Sequence, residues 1–81
     1  MRNITIETNE VQTVLPVLFK MNLHFNLDTE KGLFSFKSLE SSINDLLALL
    51  ENKRLKSKTF NYYLRDTSGI LEQLVNNRED N

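Results

Sequence analysis

The chain lacks cysteine and tryptophan, and its 81 residues include one histidine, one proline and two glycines. Without cysteine there is no disulfide framework, no thiolate metal site and no cysteine nucleophile, a pattern that suits a reducing compartment. So few turn residues argue for regular elements joined by short connections. Long apolar runs are missing too. The longest, Leu46 to Leu50, is far short of the roughly 20 residues that span a bilayer. The opening MRNITIETNE alternates polar and apolar and has no continuous apolar region of a signal peptide, so the expected location is the cytoplasm, with no membrane partner. Charge of one sign is also absent: the net charge of −1 gives no global pull toward nucleic acid, and any electrostatic partner must be met by a local patch. Alanine occurs once against ten asparagines, a bias that AT-rich codons favour and that hints at a bacterial or phage genome.

Catalytic patterns are missing as well. Neither G-x-G-x-x-G nor a Walker-type Gly-Lys-Ser/Thr loop occurs, which speaks against nucleotide binding. The serines have no G-x-S-x-G context, and capping or surface roles account for them. His24 and Asp28 stand four apart in a strand-like run, about 13 Å along the chain, and no second histidine or cysteine completes a zinc set. The acidic residues form no run that suggests a shared buried pocket. The expectation is a protein with no catalytic residues, no metal and no cofactor.

What is present reads as an α+β domain. Asn3 to Glu7 (NITIE) alternates like a half-buried strand. Asn9, with Gln12 three residues on, resembles a weak capping box for a helix through Val11, Val14, Leu15 and Leu18. Pro16 either bends that helix or sits in the first turn of one that begins near Thr13. Leu23 to Asp28 and Leu33 to Lys37 alternate again around DTEKG, a hairpin signal. Leu39, Ile43, Leu46, Leu47 and Leu50 form a helical stripe, with Glu40 early and Lys53 late to complement the helix dipole. From Lys58 to about Asn76, Phe60, Leu64, Thr67, Leu71 and Leu74 recur at spacings of 4 and 3, which predicts a last helix, kinked or broken at Gly69. The expected order is β-α-β-β-α-α, with a three-stranded mixed sheet in order 2-3-1 and helices on one face. One domain covers 1–76, followed by a frayed polar tail at 77–81.

One stretch stands above this background. KRLKSKTFNYYLR, Lys53 to Arg65, carries five basic residues and three aromatics and no acid. On a helix, Lys58, Tyr62 and Arg65 form a row opposite the apolar seam, while Phe60, Tyr63 and Leu64 are buried. Tyrosine and arginine are enriched at interface hot spots, so the row predicts a small non-catalytic regulator or inhibitor that occupies the surface of another protein, one of acidic or mixed charge. Leu33 and Leu49, which lie off the core-facing positions, add apolar area. The alternative is nucleic-acid binding through Lys53, Arg54, Lys56, Lys58, Tyr62 and Arg65. A homodimer through the last helix or an open sheet edge is a further expectation.

Overall fold

In a computed structural model, which describes residues 1–68, the chain runs β1 (Arg2–Thr8), α1 (Val11–Lys20), β2 (Phe25–Asp28), β3 (Leu33–Ser38), α2 (Glu40–Lys56) and β4 (Tyr62–Asp66). The four strands form one sheet in order β2-β3-β1-β4, and each neighbouring pair is antiparallel. β3 lies between β1 and β2, and β1 lies between β3 and β4. Two split β-α-β units are thereby interleaved, the connectivity called ferredoxin-like. Connectivity of this kind carries no function of its own.

The expected 2-3-1 order holds for the first three strands, with three corrections. The sheet is antiparallel throughout rather than mixed, because β3 separates β1 from β2. It has a fourth strand, and that strand occupies residues assigned to the last helix. Among the described residues there are therefore two helices, not three. Phe60 and Leu64, four apart, share a face in a helix and in a strand alike, so their spacing did not separate the two periods. Pairing decided it: β1 offers a second edge to residues 62–66, and the tyrosines there favour the pleated surface. The remainder of the expected helix, its continuity through Gly69 and the tail at 77–81 lie outside the described residues.

Burial follows the pleat. Ile4 and Ile6 of β1 and Phe34 and Phe36 of β3 pack with Val14, Val17 and Leu18 of α1 and Leu46 and Leu50 of α2, and Phe60 closes the end of the loop before β4. Each such side chain stabilises by about 1.5–3 kcal/mol when removed from water. Both helices thus cover one face of the sheet and leave the other to the odd-numbered residues of β1, β3 and β4. Leu39, expected in the α2 stripe, precedes the helix and is exposed.

Local signals set the connections. α1 begins at Val11 after Glu10, and Asn9 does not cap it. Pro16 lies inside the helix rather than in its first turn. Its missing N–H removes the i→i−4 bond to the carbonyl of Gln12, an exposed residue. Asn22 ends α1 in the left-handed region with φ 56°, and the Leu23 N–H donates back to the Leu18 carbonyl at 3.1 Å. Between β2 and β3, the Asp28 carboxylate accepts the N–H groups of Glu30 and Lys31 at 3.1 and 3.2 Å, and Gly32 turns with φ 64°. The Gly32 carbonyl accepts the Thr8 N–H at 2.9 Å, extending the β1–β3 ladder by one rung.

A Cβ at Gly32 would fall inside van der Waals contact with the Thr8 carbonyl oxygen, on a backbone that side chains rarely adopt. Gly32→Ala is expected to destabilise the fold by about 1–3 kcal/mol, read as a lower urea midpoint. An unchanged midpoint would contradict the close approach of this turn to β1.

Candidate functional site

The residues that the sequence grouped as one helical row are divided by β4. Tyr62, Leu64 and Asp66 lie opposite Thr8, Ile6 and Ile4 on the core-facing side, whereas Tyr63 and Arg65 lie opposite Glu7 and Thr5 on the uncovered side. Lys58 stands before the strand in the exposed connection. Lys58, Tyr62 and Arg65 therefore share no face, which corrects the expected row. The exposed tyrosine is Tyr63, 58% accessible, and not Tyr62.

Tyr62 has a structural task. Its hydroxyl donates to the Glu51 carboxylate on α2, and its ring stacks on Phe60 with centroids 5.6 Å apart. Arg54 holds the same carboxylate, with Nη2 at 2.8 Å from Oε1 and Nε at 3.0 Å from Oε2. The Arg54 guanidinium, and then the Tyr62 hydroxyl, hold the Glu51 carboxyl down at about 2, below its ordinary 4.5. Desolvation, and then the Glu51 carboxylate, push the Tyr62 phenol up to about 12. This cluster ties the last turns of α2 to the start of β4. It also occupies Arg54 and Tyr62 of the six residues expected to meet nucleic acid, leaving Lys53, Lys56 and Lys58 exposed around the end of α2 and Arg65 exposed on the uncovered face of the sheet.

Both ends of β4 are fixed to the first ten residues. At its start, the Asn9 side chain donates to the Thr59 carbonyl at 2.6 Å and accepts the Asn61 N–H at 2.8 Å. Thr8 Oγ1 donates to the Asn61 carbonyl at 2.7 Å, and Thr59 Oγ1 donates to Glu10 Oε2 at 2.6 Å. At its end, Arg2 Nε meets Asp66 Oδ2 at 2.7 Å, and the Ser68 N–H donates to Asp66 Oδ1 at 2.9 Å. The Ser68 amide, and then Arg2, lower the Asp66 carboxyl from its ordinary range. β4 is thus held in place independently of what it presents outward.

What it presents is an aromatic and a cation in contact. The Arg65 guanidinium lies over the Tyr63 ring, 5.2 Å from its centroid. The register sets Asp28, Leu33, Glu7 and Tyr63 in one row across the sheet, and Asn26, Ser35, Thr5 and Arg65 in the next. Leu33 is therefore on the uncovered side, as expected, and half-buried. Leu49 is not with it: it packs against the core from α2 and borders a small hollow with Asn52, Lys53 and Lys56. A shallow hollow of about 320 Å³ crosses the middle of the uncovered face, lined by Asn3, Thr5, Asn26, Ser35, Lys37 and Thr67. A second, of about 350 Å³, runs along its rim between Glu7, Lys31, Asn61 and Tyr63. The face is polar, mixed in charge, and has Tyr63 as its large exposed side chain. The available signal for Tyr63 was the pair of adjacent tyrosines in NYYLRD, a residue type that favours strands, which the 4-3 spacing obscured.

Among the described residues, no three His, Cys, Asp or Glu side chains are placed to hold a metal ion, and no helix is long and apolar enough to cross a membrane. His24 is exposed beside β2.

The Glu51 cluster predicts a stability profile with two arms. Glu51, whose carboxyl is lowered on folding, stabilises fully above the unfolded range near 4.5, and that contribution is lost as pH falls toward about 2. Tyr62, whose phenol is raised, stabilises below its ordinary 10.0, and its contribution is lost as pH rises through about 12. In thermal melts followed by circular dichroism, Glu51→Gln should flatten the acid arm. Tyr62→Phe should flatten the alkaline arm and lower the neutral midpoint by a few degrees. Unchanged arms in both variants would remove the cluster from the account. Against family models, curated proteins and solved structures, the chain matches none.

Proposed function

We propose that this protein is a small non-catalytic binding module that acts by occupying the surface of another protein, engaged through the uncovered face of its sheet. The observation that carries this reading is the Tyr63–Arg65 pair: an exposed aromatic with a guanidinium over its ring, on a strand fixed at both ends. A rigid tyrosine offers contact area at small cost in conformational freedom, and arginine offers a planar fork of donors to carboxylates. Leu33 adds apolar area in the row of Tyr63, while Lys31, Lys37 and Glu7 supply a mixed-charge margin. Such a surface suits a partner that brings both an apolar element and acidic groups. A regulator or inhibitor of this kind works by steric occupation and needs no pocket.

The second reading, nucleic-acid binding, draws on Lys53, Lys56 and Lys58, which stand exposed around the end of α2. Arg54 is committed to Glu51 and Tyr62 to the same carboxylate, so this patch lacks an aromatic on which a base would stack.

Affinity capture from native lysate, with and without nuclease, separates the readings when the wild type is compared with Tyr63→Ala/Arg65→Glu. The expected result is a discrete protein that survives nuclease and moderate salt and is lost, by about tenfold or more in affinity, from the double variant. Equal capture by a folded double variant would take the outer face out of the account. Recovery of nucleic acid, with affinity falling steeply as salt rises, would favour the lysine patch.

A further inference from the structure

The sheet has two edges among the described residues, and they differ. β2 is four residues long and half of it is Asn26 and Asp28, types that sit poorly in strands. β4 reads YYLRD, with no proline, glycine, lysine or bulge, and its one inward-facing charge, Asp66, stands at the last residue and is paired with Arg2. Its backbone is also oriented for it. The Thr67 N–H donates to the Asn3 carbonyl at 2.7 Å, and the Asn61 carbonyl accepts the Asn9 N–H at 3.4 Å, so the odd-numbered residues of this segment turn toward β1. Alternation then turns the N–H and C=O of Tyr62 and Leu64 to the open side.

We propose that β4 pairs with β4 of a second copy, antiparallel about a two-fold axis at Leu64. Leu64 then opposes itself as a hydrogen-bonded pair, each amide donating to the other carbonyl. Tyr63 opposes Arg65 of the second copy as a non-hydrogen-bonded pair, the arrangement in which cross-strand side chains come closest. Each ring, already under one guanidinium, receives a second one across the axis. Neighbouring registers are poorer. A shift of one residue sets core-facing positions against outer ones. A shift of two in one direction sets Arg65 against Arg65, and in the other leaves Arg65 opposite Asn61. The strand is self-complementary in the sense an isologous contact requires.

The consequence is a continuous sheet of twice the width, with two tyrosines and two arginines at the centre of its uncovered face. The proposed binding surface is then completed by residues from both copies. This inference builds on the outer-face reading but is tested separately, because sedimentation reports the pairing and partner capture reports the binding.

Sedimentation equilibrium of the full chain between about 1 μM and 1 mM should show reversible dimerisation. N-methylation of the Leu64 amide, introduced by chemical synthesis, keeps the side chain and the bonds to β1 and removes the donor on the open side. It is expected to weaken the dimer about tenfold or more, with the far-UV spectrum and the melt of the dilute monomer unchanged. Arg65→Glu, which removes the cation facing each ring, should weaken it as well. A single monomer mass over the whole range would overturn the proposal, and so would a dimer indifferent to N-methylation.

Discussion

The fold depends on β1 using both of its edges at once. Its even-numbered residues turn their backbone toward β3, as the Thr8 bond to Gly32 records, and its odd-numbered residues turn toward β4, as Asn3 and Asn9 record. The same alternation sends Ile4 and Ile6 into the core and Asn3, Thr5 and Glu7 to the other face. One short strand thus joins two split β-α-β units and separates buried from exposed surface. Closing β4 onto β1 brings together segments more than fifty residues apart, a costly loop to order. The contacts of Thr8, Asn9 and Glu10 with residues 59–61 offset that cost where the strand begins.

That long-range pairing is also what the sequence conceals. Elements whose period is carried by their own residues were legible: NITIE as a strand, the hairpin around DTEKG and a helix over the Ile43, Leu46 and Leu50 stripe are all present, although Leu39 falls outside that helix. The segment after α2 was not. Phe60 and Leu64 satisfy a helical period locally, and the competing signal, two adjacent tyrosines that favour a strand, gains its force only from an open strand edge elsewhere in the fold. Asn9 was misread for a related reason, because its side chain serves the loop before β4 rather than the helix beside it. Asn22 carried a signal of its own, a residue tolerant of the left-handed region at the end of an apolar run.

The functional reading changes with this one element. On a helix, Tyr62 and Arg65 share a surface and Tyr63 is buried. On a strand, Tyr62 turns inward to Glu51 and Phe60, and Tyr63 and Arg65 emerge together. The chemistry expected of the stretch, an aromatic beside a cation, survives with one tyrosine exchanged for its neighbour. Leu33 joins it by register and Leu49 leaves it for the core. The basic cluster divides in the same way, Arg54 entering an ion pair and Arg65 the outer face, so the five cations that look contiguous in the sequence no longer act as one patch.

Amide hydrogen exchange at residues 62–65, followed by NMR on dilute protein, tests the central claim most directly. Strand pairing to β1 predicts protected amides at Tyr63 and Arg65 and a rapidly exchanging amide at Leu64, an alternation that a helix cannot produce. Uniform protection through Tyr62, Tyr63, Leu64 and Arg65, with helical contacts between residues three and four apart, would contradict it. The exposed Tyr63–Arg65 pair and the surface proposed for it would then have no basis.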